Sequence, residues 1–182
     1  KWINSFNILW HVKPISYSPF MIFKSANKLV EVFNTNKKHY DLKNEGFITL
    51  ENSNLFMKYR EKLSANNFYH IYEKNGITIE FCMKIIIRKR ILKELVVGRI
   101  DFNLFDKEIL NEGFIDLINK IKKTKCINFI SLALSENTKV FNEILLKNKF
   151  KKINNKIFFI HKNFKPIILN DILIFRSDLD TW

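Results

Sequence analysis

Hydrophobic positions change their period along this chain, and the changes mark its elements. Residues 68–73 alternate apolar and polar positions, which predicts a half-buried strand. Asn75-Gly76 follows, a pair that favours a two-residue hairpin turn. Residues 77–87 return as a long strand, Arg88, Lys89 and Arg90 form a basic turn, and 92–102 make a third strand. Beyond Phe102 the period becomes helical, with Ile109, Leu110, Phe114, Leu117, Ile118 and Ile121 on one face. Residues 127–134 are almost wholly apolar, as a strand buried on both sides would be. Asn137 or Thr138 caps the next helix, whose inner face is Val140, Phe141, Ile144 and Leu145. Strands are predicted at 156–161 and 172–176, with Pro166 and Asn170-Asp171 between them.

The N-terminal quarter is less regular. Residues 8–12 form a strand that Pro14 stops. Ser25 caps a helix ending near Phe33, 34–44 are polar and turn-like, and 47–50 make a short strand. Ser53 caps a second helix over 55–63. The expected organisation is an N-terminal segment, residues 1–44, that finishes an upstream subdomain, and an α/β domain over residues 45–182. In that domain an antiparallel meander feeds a βαβ crossover, giving a mixed, largely antiparallel sheet with flanking helices.

Composition narrows the class. A hydrophobic content of 47%, with 14% aromatics, is ample for a core. No apolar run approaches the ~20 residues a membrane-spanning helix needs. Cys82 and Cys126 are far apart in sequence, which suggests neither a zinc site nor a disulfide framework and points to a reducing cytoplasm. The balance of 31 basic against 18 acidic residues gives a net charge of +13. Arg supplies only positions 60, 88, 90, 99 and 176, so the excess is lysine, which is less suited than Arg to bidentate phosphate and base contacts. Lys, Asn, Ile and Phe share A/T-rich codons, and the excess also fits a genome-wide bias. Specific nucleic-acid binding is therefore not the leading expectation.

Residues 137–150, NTKVFNEILLKNKF, and the meander around FYHIYEKNGITIEFCMKI resemble the GNAT N-acetyltransferase family, acyl-CoA N-acyltransferases. The likeness covers roughly residues 45–182. It implies a GNAT-like sheet whose third meander strand and crossover strand splay apart at the βαβ unit. It further implies acetyl-CoA or another acyl-CoA as cofactor, with pantetheine in the splay and pyrophosphate on the amides opening the next helix. On this alignment Phe102, Asn103, Leu104 and Asn137 would meet the cofactor. Asp101, at the end of the third meander strand, would serve as general base. Tyr59 and Arg60, on the helix before the sheet, and the paired Asp178 and Asp180 of the C-terminal SDLDTW would line a pocket for a small-molecule amine acceptor. Divergent members linked to surface-polysaccharide genes carry similar segments, which suggests an amino sugar.

The chain also departs from the family pattern. No glycine occurs between Phe102 and Gly113, where the family places a glycine-rich phosphate loop, and Asp106 and Glu108 add negative charge there. Leu145 stands where a proton-donating tyrosine is expected, and Lys149 where a glycine is. Two further readings therefore stand beside the transferase: a catalytically inactive GNAT-like binding or assembly domain, and a basic nucleic-acid-binding module.

Overall fold

The computed structural model describes residues 2–16, 32–33, 42, 44, 47–49, 67–136, 138–163 and 172–175. The strands are β1 (Trp2–Pro14), β2 (Ile48–Thr49), β3 (Asn67–Lys74), β4 (Ile77–Arg88), β5 (Leu92–Phe102), β6 (Phe129–Ser135), β7 (Lys151–Asn163) and β8 (Ile172–Leu173). Among the described residues two helices accompany them, α1 (Lys107–Thr124) between β5 and β6, and α2 (Lys139–Lys147) between β6 and β7. Six strands form one sheet in the order β3-β4-β5-β6-β1-β7, and β2 pairs with β8 in a second, two-stranded sheet. Only β5 and β6 run parallel within the large sheet. This is the mixed, largely antiparallel α/β architecture expected, built as a meander followed by a βαβ crossover.

The meander follows its sequence signals. Asn75 and Gly76 both take positive φ, 51° and 75°, and join β3 to β4. Phe68, His70, Ile79, Phe81, Leu95, Val97, Ile100 and Phe102 are buried along the three strands. Helix α1 places Leu110, Phe114, Leu117 and Ile121 against this layer, and the Phe81 and Phe114 rings meet edge to face at 5.1 Å. Helix α2 adds Phe141, Ile144 and Leu145. Leu145 is thus a fully buried core residue.

The N-terminal strand runs longer than residues 8–12 and lies inside the large sheet. Trp10 faces Ala133 of β6 on one side and Ile153 of β7 on the other. The segment set apart as residues 1–44 therefore contributes a strand to the same sheet as the meander. Ile8 and Leu9 are buried there on opposite faces of the strand, and His11 is buried too. The crossover strand begins at Phe129 rather than 127, and the strand expected over 156–161 spans Lys151–Asn163. The helices predicted near 25–33 and 55–63 lie largely outside the described residues.

Candidate functional site

The parallel pairing of β5 with β6 is short. It runs from Glu94↔Phe129 to Val97↔Leu132 and then ends, although β5 continues to Phe102 and β6 to Ser135. The break coincides with a bulge. Cys82 pairs with Arg99 and Met83 with Val97, which leaves Gly98 as the extra residue on β5. An extra residue bends a strand and increases its twist. Beyond Gly98, β5 follows β4 while β6 follows β1, and an opening forms between them.

The chain's own residues occupy that opening. On the β5 side the Asn44 N–H donates to the Phe102 carbonyl at 3.0 Å, and the Phe102 N–H donates to Asn44 Oδ1 at 2.8 Å. On the β6 side the Ser135 N–H donates to the Ile174 carbonyl at 3.0 Å, and Phe175 bridges Leu134 in antiparallel fashion. Ile48↔Ile172 and Thr49↔Leu173 join these two edges through β2 and β8. Five aromatic rings fill the space beneath. Phe47 packs edge to face on Phe102, Phe105 and Phe141 at 5.8, 5.1 and 5.9 Å, and Phe141 meets Phe175 at 6.1 Å. Phe102, Phe141, Leu173, Ile174 and Phe175 are all essentially inaccessible to solvent.

The start of α1 is similarly self-contained. Four residues separate β5 from the helix. Asp106 is its N-cap, and its Oδ1 accepts from the Glu108 and Ile109 N–H groups at 2.8 and 2.9 Å. A carboxylate here satisfies the donors and complements the helix dipole, as a bound phosphate would. Glu108 adds a second carboxylate in the first turn. An acyl-CoA pyrophosphate would have to displace Asp106 against like charge, and its pantetheine would have to displace the aromatic cluster. The residues as arranged do not fit the cofactor.

The residues expected to act there that the structure describes each have a definite place. Phe102 is part of the aromatic cluster, and its N–H and carbonyl are both held by Asn44. Asn103 closes the end of the β4–β5 pair. Its Oδ1 accepts from the Thr78 and Leu104 N–H groups, and its Nδ2 donates to the Gly76 carbonyl. Leu104 is 52% exposed. Asp101 is buried, with Oδ1 accepting from Arg99 Nε at 2.7 Å and Asn44 Nδ2 at 3.2 Å. Glu80, also buried, is its register partner across β4. Thr138 is the N-cap of α2 but makes no side-chain bond to its amides, its hydroxyl donating instead to the Ser135 carbonyl at 2.7 Å. Asn137, Tyr59, Arg60, Asp178 and Asp180 lie outside the described residues.

Asn44 is the residue sequence reasoning missed. It falls in the polar, turn-like stretch 34–44, yet it is buried, adopts a φ of 50°, and binds Ile100, Asp101 and Phe102 at once. The Asn-Glu-Gly run at 44–46 was its one local signal, since Asn tolerates the left-handed region better than most side chains.

A second polar group lies on β3 and α1. His70 is buried between Phe81, stacked at 5.8 Å, and Phe33, edge-on at 5.8 Å. Its Nε2 is 3.0 Å from Asp116 Oδ2, without hydrogen-bond geometry. Burial first, then the Lys120 charge, lowers its pKa to about 4, against the opposing pull of Asp116. Next along the strand, Tyr72 donates to Glu112 Oε2 at 2.8 Å, and Lys74 pairs with the same carboxylate. Among the described residues no group of three or more His, Cys, Asp or Glu could hold a metal ion, and no helix is long and apolar enough to cross a membrane.

No protein-family model matches the chain, and neither does any curated protein sequence. Among solved structures it is similar to the N-myristoyltransferase of Saccharomyces cerevisiae, determined with bound myristoyl-CoA and inhibitors. Sequence identity is 9% and the TM-score 0.41, and the match covers 87% of this chain. The chain spans about half, 51%, of that structure. A likeness at this level concerns the course of the backbone alone.

Proposed function

We propose that this chain is a GNAT-like domain that serves in binding or assembly rather than in acyl transfer. The observation that carries the reading is the opening between β5 and β6. Its edges are hydrogen-bonded to Asn44 and Ile174, and its interior holds Phe47, Phe102, Phe105, Phe141 and Phe175. Asp106, seated on the amides of α1, supports it from a second direction. Asp101 then serves as a structural carboxylate that neutralises Arg99 within the sheet.

The transferase reading has one observation in its favour. The Gly98 bulge and the divergence of β5 from β6 persist, the geometry that admits a pantetheine chain in the family the sequence resembles. Under that reading Asn44, residues 47–49 and residues 172–175 would leave the opening on binding acyl-CoA, and an amine acceptor such as an amino sugar would approach Asp101. Calorimetric titration with acetyl-CoA and with a long-chain acyl-CoA separates the two. The binding-domain reading expects no heat up to millimolar cofactor. Saturable binding of either compound near one equivalent would overturn it.

A further inference from the structure

The end of the molecule opposite the opening has a different character. It gathers the β4–β5 turn, the C-terminal ends of α1 and α2, and the last residues of β1. Asn128 ties the start of β5 to the end of β1, its N–H donating to the Lys93 carbonyl and its carbonyl accepting from the Ile15 N–H. Lysine and arginine crowd here. Lys13 donates to the Asn148 carbonyl at 2.7 Å, and its pKa is lowered by burial and then by the charges of Lys122 and Lys149. Among the described residues the acid at this end is Glu94, which is buried and held by Arg88 and Ser131.

Backbone conformation sharpens the point. Lys89 and Arg90 in the hairpin turn, Lys125 after α1 and Lys149 after α2 have φ of 49°, 63°, 52° and 62°. All four occupy the left-handed region, where glycine or asparagine is favoured at hairpin turns and helix C-termini. Codon bias does not account for cations there, because asparagine has A/T-rich codons too. Among the described residues the other non-glycine positive-φ sites, Asn44 and Asn75, are asparagine. Four left-handed positions at one end therefore carry long cationic side chains where glycine or asparagine would be less strained.

Apolar side chains accompany the charge. Residues 87–92 are exposed without interruption, and Ile87, Ile91 and Leu92 are 62%, 52% and 37% accessible. We propose that this end docks on an anionic membrane surface, with Lys89, Arg90, Lys122, Lys125 and Lys149 facing phosphate headgroups and the hairpin aliphatics entering the interface. A bilayer uses both features at once, since cations bind its charge and aliphatic tips enter its acyl boundary. A nucleic acid would use the charge but leave the isoleucines in water, and the turn offers no aromatic ring for base stacking.

Co-sedimentation of the 182-residue chain with vesicles tests this. Vesicles containing phosphatidylserine should pellet the protein at about 0.1 M salt, pure phosphatidylcholine vesicles should not, and added salt should release it. The double variant Lys89→Asn/Arg90→Gly installs a relaxed turn. Its urea midpoint should rise while partitioning falls roughly thirtyfold, the worth of two charges near such a surface. Ile91→Ser should also weaken binding without weakening the fold. The proposal is overturned if anionic vesicles leave the protein in solution, if either variant binds as the parent does, or if a mixed-sequence oligonucleotide is bound and vesicles are not.

Discussion

Acid should weaken this fold through His70 in particular. In the folded chain the imidazole is pressed between Phe33 and Phe81, and its pKa lies at about 4, against 6.5 for an ordinary histidine. Native protein therefore binds this proton more weakly than unfolded chain does. The stabilising contribution is complete above about pH 6.5 and is lost as pH falls toward 4. The gap between the two pKa values corresponds to about 3 kcal/mol in full, of which about 2 kcal/mol is lost between pH ~7 and pH ~4.5. Carboxylates titrate in the same window, so the parent alone cannot isolate the effect. His70→Phe keeps an aromatic ring between the two phenyl groups and removes the titration, while Asp116 retains Lys120 at 3.0 Å. Urea unfolding of both proteins at several pH values gives the comparison. The stability of the parent relative to the variant should decline by about 2 kcal/mol over that range. Parallel stability curves would refute the assignment of a buried, neutral imidazole.

Three further substitutions probe the closed opening. Phe141→Ala should cost about 3–5 kcal/mol in urea unfolding, because its ring touches four other aromatic residues and leaves a cavity. A loss below about 1 kcal/mol would mean that the cluster is loosely packed. Asn44→Ala strands the Phe102 N–H and should cost about 1–3 kcal/mol, with faster hydrogen exchange at that amide. Asp106→Ala removes the cap of α1 and should lower stability by about 1 kcal/mol, while acyl-CoA still gives no calorimetric heat.

The meander, both crossover elements and their inner faces were legible because they depend on local period. Alternation, an Asn-Gly turn and a helical stripe each report a neighbour a few residues away. The position of β1 was not legible. Residues 8–12 announce a strand, but nothing in them specifies pairing with residues beyond 128 and 150. The aromatic cluster was hidden for the same reason. Phe47, Phe102, Phe141 and Phe175 come from four separate stretches, and each reads alone as an ordinary core residue. At the candidate site the sequence showed what was missing, the phosphate-loop glycine and a tyrosine at 145. It could not show that Asp106 sits on the vacated amides, which is a matter of φ and ψ at a single cap.

The place of β1 also bears on how the chain reaches this state. Its partners, Ala133 across from Trp10 and Lys151 across from Val12, are made more than a hundred residues later. During synthesis β1 emerges before the strands that pair with either of its edges. The β3–β5 meander and α1 can close on local contacts while it waits. Long-range closure of this kind slows folding, and an unpaired strand offers its edges to whatever is nearby, including the same strand of another nascent chain. The strand that makes the finished sheet continuous is thus its most exposed part on the ribosome. Proline at its end, Pro14, limits how far a wrong pairing could extend.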